Sequence, residues 1–257
     1  MNANMNTNTN NHRLAAATVG VLFIIASASA ILGLLMYGPI LSGSDFLVQG
    51  AEHRSQVVLG TVMELTVVFS AIGTAVGLFP FLKKYNESIA LGHLLFRFLE
   101  AVFISVGVVS VLSLLTLSQG FVPDAPNATA LQASGTLLLA VREWTFILGP
   151  YLMLGANTVL YSSLLYKSKL VPRPLASLGI TGAILVLTAA LLQMFRIAPY
   201  GSTPPVLMAM PVAVYEMVLA GWLIVKGFNR SALAASRISS TSESTEPTVH
   251  LSTASAI

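Results

Sequence analysis

Residues 89–117 read IALGHLLFRFLEAVFISVGVVSVLSLLTL, a stretch whose only charged side chains are Arg97 and Glu100. As a helix rising 1.5 Å per residue it runs about 43 Å, more than the ~30 Å of hydrocarbon in a bilayer. A helix on the surface of a soluble protein would show a polar stripe along its length; beyond His93, Arg97 and Glu100 this one offers only scattered hydroxyls and glycines. Lipid is the solvent that suits it.

The same pattern recurs on both sides. Apolar runs occupy Leu14–Tyr37, Val57–Phe79, Thr136–Tyr166, Leu175–Ala198 and Val206–Phe228, each near or above the ~20 residues that a membrane-crossing helix needs. The longest runs must tilt or project beyond the hydrocarbon. Membrane β-strands would instead give alternating segments of about ten residues, which are absent. The expected fold class is all-α: a polytopic integral membrane protein with six transmembrane helices in one bundle.

Composition agrees. Of 257 residues 55% are hydrophobic and 9% charged, against roughly 25% charged in soluble domains. The net charge of +3 comes from basic residues in short loops, so no nucleic-acid partner is expected and the lipid bilayer is the expected environment. The chain has no cysteine, which excludes disulfides, thiolate metal sites and cysteine nucleophiles. Ala28-Ser29-Ala30 resembles a signal-peptide cleavage site, but the apolar run continues through Met36, and an uncleaved first span is the expectation. Residues 1–12 form a polar, Asn-rich arm and residues 230–257 a Ser/Thr-rich tail, both expected to be disordered, flanking a membrane domain over 13–229.

Orientation follows from the loops. Arg13, Lys83, Lys84, Lys167, Lys169, Arg173, Lys226, Arg230 and Arg237 fall on one side, whereas the opposite loops offer Arg54, with Arg196 at a helix end. By the positive-inside rule both termini are cytoplasmic, in a plasma membrane.

The ionisable residues within the spans carry the functional information, because a charge at the centre of an inserted helix costs roughly 2.5–3.5 kcal/mol on insertion scales. They are Glu64, Arg97, Glu100, Arg142, Glu143, Arg196 and Glu216. His93, Arg97 and Glu100 stand at i, i+4 and i+7, on one helix face. Glu143, Pro150 and Asn157 recur every seven residues, while Gln193 and Arg196 form an i, i+3 pair. Pro150 cannot donate to the carbonyl of Phe146 and so frees an acceptor inside the membrane. The candidate ligand or ion-path residues are Glu64, Arg97, Glu100, Glu143, Asn157 and Glu216, forming a polar cluster in the outer half of the bundle.

Three readings stay open: a cavity that binds or passes a small solute or proton, ion pairs that only lock helices together, and an intramembrane enzyme. The last has least behind it, and no catalytic residue is assigned. The chain has no HExxH, no paired histidines for haem, no Gly-x-Ser-x-Gly elbow and no phosphate loop, so neither metal nor cofactor is expected. Gly73 and Gly77 form a GxxxG step, which favours close helix packing within one chain or between two. Tyr37, Trp144, Tyr151, Tyr166, Tyr200 and Trp222 fall mostly near the expected interfaces, as an aromatic belt would place them.

Four stretches carry a family resemblance: LMYGPIL (35–41), IGTAVGLFPFLKKYNESIALGHLLFRFLEA (72–101), ILGPYLMLGANTVLYSSLLYKSKLVPRPLASLGITGA (147–183) and YEMVLAGWLIVKGF (215–228). In order and spacing the chain resembles, over roughly residues 13–229, the prokaryotic membrane family called domain of unknown function 4386 (DUF4386). The resemblance implies a six-helix bacterial membrane protein and no activity. Arg97 and Glu100 are similar to the family's Arg-x-x-Glu, and Tyr215-Glu216 to its aromatic-Glu step, where Trp more often precedes the Glu.

Overall fold

The structure is a computed structural model that describes residues 2–41, 43, 45–229 and 231–234, with side chains from Asn11 onward. Every regular element among them is helical: α1 (Asn2–Met36), α2 (Gly38–Leu41), α3 (Phe46–Glu52), α4 (Arg54–Leu82), α5 (Glu87–Gln119), α6 (Ala128–Phe146), a π-helical segment (Ile147–Met153), α7 (Leu154–Ser168), α8 (Arg173–Met194) and α9 (Thr203–Val225). Six stretches are long and apolar enough to cross a membrane, with α6, the π-helical segment and α7 forming one of them. The chain is a six-span, all-α membrane protein.

Local chemistry sets the helix ends. Asn86 is extended, and its side-chain oxygen accepts from the Ile89 N–H at 2.9 Å, capping α5. Lys169 takes a left-handed conformation (φ 56°) to stop α7. Pro172 and Pro174 then restrict the chain to the geometry that starts α8. α8 ends at Met194, earlier than the apolar run to Ala198 suggests, because Arg196 adopts φ 56°. That turn takes Arg196 off the helix, so the two side chains do not pair: the Arg196 N–H donates to the Gln193 carbonyl at 3.0 Å, while the Gln193 side chain donates to the Ala189 carbonyl.

The six spans form a closed ring in which α1 packs on α4, α4 on α5, α5 on α6 and α7, α7 on α8, α8 on α9, and α9 back on α1. Since lipid tails are as apolar as leucine, such packing depends on close approach rather than on escape from water. A Cβ on Gly77 would lie 2.5 Å from Val19 Cγ2 and one on Gly73 2.9 Å from Leu22 Cδ1, so the GxxxG step seats α1 of the same chain. Large side chains such as Phe69, Val109, Leu137 and Ile184 are exposed on the perimeter, where hydrocarbon would cover them.

The two ends of the ring differ. At one end His12 meets Phe81, Phe81 packs on Phe228, and the Asn229 N–H donates to the Leu170 carbonyl. This end gathers the start of α1, the basic loops and the residues after α9, and is called the terminal end below. At the opposite end α2 and α3 fold over α5, burying Tyr37, Ile40, Phe46 and Leu47 against Val111, Leu114 and Leu115. α1 starts at Asn2, and residues 231–234 form a helical turn in which the Ala232 carbonyl accepts from the Tyr85 hydroxyl at 3.0 Å. Arg230 and residues 235–257 lie outside the described residues.

Candidate functional site

The face of α5 that carries His93, Arg97 and Glu100 turns into the ring, and all three side chains are buried. Arg97 Nη1 donates to both carboxylate oxygens of Glu100, at 3.2 and 3.0 Å, and its Nε donates to the Ala71 carbonyl at 3.4 Å. From α7, the Asn157 Nδ2 donates to Glu100 Oε2 at 3.2 Å, and its Oδ1 lies 2.9 Å from His93 Nδ1. Because a carboxylate only accepts, the amide is oriented: its oxygen faces His93, whose Nδ1 carries the proton. Glu100 is thus fully engaged by one guanidinium and one amide.

Glu216 comes from α9 and is otherwise placed. Its Oε1 stands 3.8 Å from Arg97 Nη2, near enough for Coulomb attraction and too far for a hydrogen bond. That oxygen is buried and has no hydrogen-bond partner, in a residue 9% exposed.

One helical turn or more toward the opposite end lies a second set. Arg142 of α6 binds Glu64 of α4 through Nη2, and the Tyr37 hydroxyl donates to the other Glu64 oxygen at 3.2 Å. The Arg142 guanidinium carbon sits 5.4 Å from the Tyr37 ring and 5.2 Å from the Phe146 ring, a cation–π arrangement on each side. Tyr200, in the loop between α8 and α9, meets the Phe146 ring edge-on at 5.8 Å; burial pushes its hydroxyl up to about 12.

Both sets border one pocket of about 300 Å³. Glu64, Arg97, Glu100 and Glu216 line it among mostly apolar neighbours, including Ala26, Ile31, Val67, Pro150, Val186 and Val212. Among the described residues no group of three His, Asp or Glu side chains is placed to hold a metal ion. The arrangement can hold charge in an apolar setting.

Of the six residues singled out from sequence, four line this pocket and Asn157 supports it from behind. Glu143 is elsewhere. It pairs with Arg196 at 3.1 Å, in a bridge whose side chains are 25% and 62% exposed. The reason is the π-helical segment: the Leu154 N–H reaches back five residues to the Gly149 carbonyl, and this wider turn inserts about one extra residue into the helical register. The seven-residue seam through Glu143, Pro150 and Asn157 is therefore broken, and Arg142 rather than Glu143 faces inward. Two contributors lie outside those six: Arg142, read from the sequence only as one of the seven ionisable residues within the spans, and Tyr37, expected in an interfacial belt but fully buried. The signal for Tyr37 was the Gly38-Pro39 step after it, which ends the first span and turns the chain back over the bundle.

No curated protein and no solved structure matches this chain. The family model described as domain of unknown function (DUF4386) matches residues 18–227. A chain that this family model matches over most of its length belongs to the DUF4386 family.

Proposed function

We propose that this protein binds a small solute within the plasma membrane, in the pocket bordered by Arg97, Glu100 and Glu216, with both termini in the cytoplasm. The observation that carries the reading is the Glu216 carboxylate. Its Oε1 is buried without a hydrogen bond and the residue borders a pocket, and a polar atom in that state is costly unless something fills its valence. A chain that needed only a helix clamp would be better served by alanine or leucine at this position. Transfer of a bare proton along the cluster has less support, because the Asn157 amide stands between His93 and Glu100 and an amide does not readily hand on a proton. The helix-locking reading fits one part of the cluster, the Glu64–Arg142–Tyr37 set, where one carboxylate meets one guanidinium and both Glu64 oxygens are hydrogen-bonded, with Arg142 Nε left without a partner.

In a strain lacking the protein, Glu216→Gln should restore full folded yield yet fail to rescue the growth or uptake defect of the deletion. Normal folding together with full rescue would overturn a solute role for this residue. The orientation is tested on the cysteine-free background. Cysteines at Lys84 and Lys169 should resist impermeant thiol reagents in intact cells, whereas cysteines at Gln49 and Asn127 should react.

A further inference from the structure

Charge and shape around the pocket restrict what it can hold. Three carboxylates (Glu64, Glu100 and Glu216) meet two guanidinium groups, Arg97 on the wall and Arg142 behind Glu64. Arg142 is committed to Glu64 and Arg97 to Glu100, each by hydrogen bonds, so the excess negative charge rests on Glu216. In a low-dielectric setting that charge calls for a positive partner.

The way in is also defined. Only four of the pocket-lining residues are exposed: Ala30, Ile31 and Leu34 on α1 and Ala213 on α9. The mouth therefore lies between these two helices and opens sideways, toward lipid. α1 and α9 are pinched together nearer the terminal end, where a Cβ on Gly20 would lie 2.7 Å from the Ala220 carbonyl oxygen. About two turns further on the pocket begins, with apolar walls at its mouth. A volume of about 300 Å³ is at the small end for ligand sites, room for a head group and the start of a tail.

Resting on the solute-binding reading above, we propose that the pocket takes a monocationic amphiphile, an organic ammonium with an apolar tail, which enters from the bilayer between α1 and α9 and places its charge on Glu216. The tail trails through the mouth into hydrocarbon. An anionic amphiphile would meet the Glu216 carboxylate, and a tail-less cation would forgo the apolar walls.

The test uses the full chain in liposomes with a single cysteine at Ala213, or at Ala30 across the mouth should the first variant fold poorly. Modification rates are measured with cationic (aminoethyl), anionic (sulfonatoethyl) and neutral (methyl) methanethiosulfonates, relative to a surface cysteine at Asn127. The cationic reagent should be preferred over the anionic one by about tenfold or more at the pocket, as charge focusing in a low-dielectric cleft gives, and Glu216→Gln should return the ratio to the surface value. Dodecylamine should protect the pocket cysteine, while methylamine and dodecanoate at equal concentration should not. Protection by dodecanoate instead, or a charge preference that ignores Glu216→Gln, overturns the cationic class and leaves a solute pocket standing. Protection by methylamine as strong as that by dodecylamine overturns the amphiphile and its lateral entry. A pocket cysteine that no reagent modifies at either position overturns both this proposal and the solute-binding reading beneath it.

Discussion

The two buried guanidinium groups, Arg97 and Arg142, look alike in sequence, each an arginine within a long apolar run, yet their surroundings differ in kind. Arg142 has one carboxylate partner, Glu64, and both oxygens of that partner are taken, one by Arg142 and the other by Tyr37. Two aromatic rings close over the guanidinium. Arg97 faces two carboxylates, satisfies Glu100 and leaves Glu216 at 3.8 Å. A balanced, enclosed pair can only hold helices together. An unbalanced set beside a pocket keeps a charge in reserve for something that is not part of the chain. Buried charge inside a membrane protein is therefore informative about binding only once its partners have been counted.

Removing either arginine should have the largest effect. Arg97→Leu strands two carboxylates and Arg142→Leu strands one, and breaking a buried pair in this way costs about 3–5 kcal/mol. Both variants should lose folded yield by fluorescence-detected size exclusion. Adding Glu64→Leu to Arg142→Leu should recover most of the loss, whereas adding Glu100→Leu to Arg97→Leu should recover less, because Glu216 remains uncompensated. Equal recovery in both pairs would erase the distinction between the sites.

Neutralising single carboxylates gives a smaller and sharper contrast. Glu64→Gln removes the carboxylate paired with Arg142 and should cost about 2 kcal/mol, in the range for hydrogen bonds to charged groups, read as a fall in melting temperature. Glu216→Gln should change stability least of all, by about 0.5 kcal/mol in either direction, since no hydrogen bond is lost and the charge excess is relieved. Between these lies Gly107→Ala. A Cβ there would come within 2.9 Å of Arg142 Nη1 and Thr145 Oγ1, so the guanidinium must shift, at a cost of about 1 kcal/mol. A Gly107→Ala protein as stable as wild type would mean that the Arg142 cage is looser than its contacts imply.

The sequence by itself determined the class, the six spans and the inward face of α5. These follow from hydropathy, length and the i, i+4, i+7 spacing of His93, Arg97 and Glu100, all local quantities that lipid makes unambiguous. It also singled out Glu216 and Asn157, since no polar group enters a membrane helix without cost. The tertiary structure alone decided who pairs with whom. The π-helical segment around Pro150 shifts the helical register, so Arg142 turns inward and Glu143 outward, and a repeat of seven carries no notice of that shift. The left-handed turn at Arg196 directs its side chain to Glu143. Tyr37 reaches Glu64 because the chain folds back at Gly38-Pro39. The excess charge on Glu216 appears only when partners on four different helices are brought within a few ångströms, because charge balance in a low dielectric is set by neighbours in space and not by neighbours along the chain.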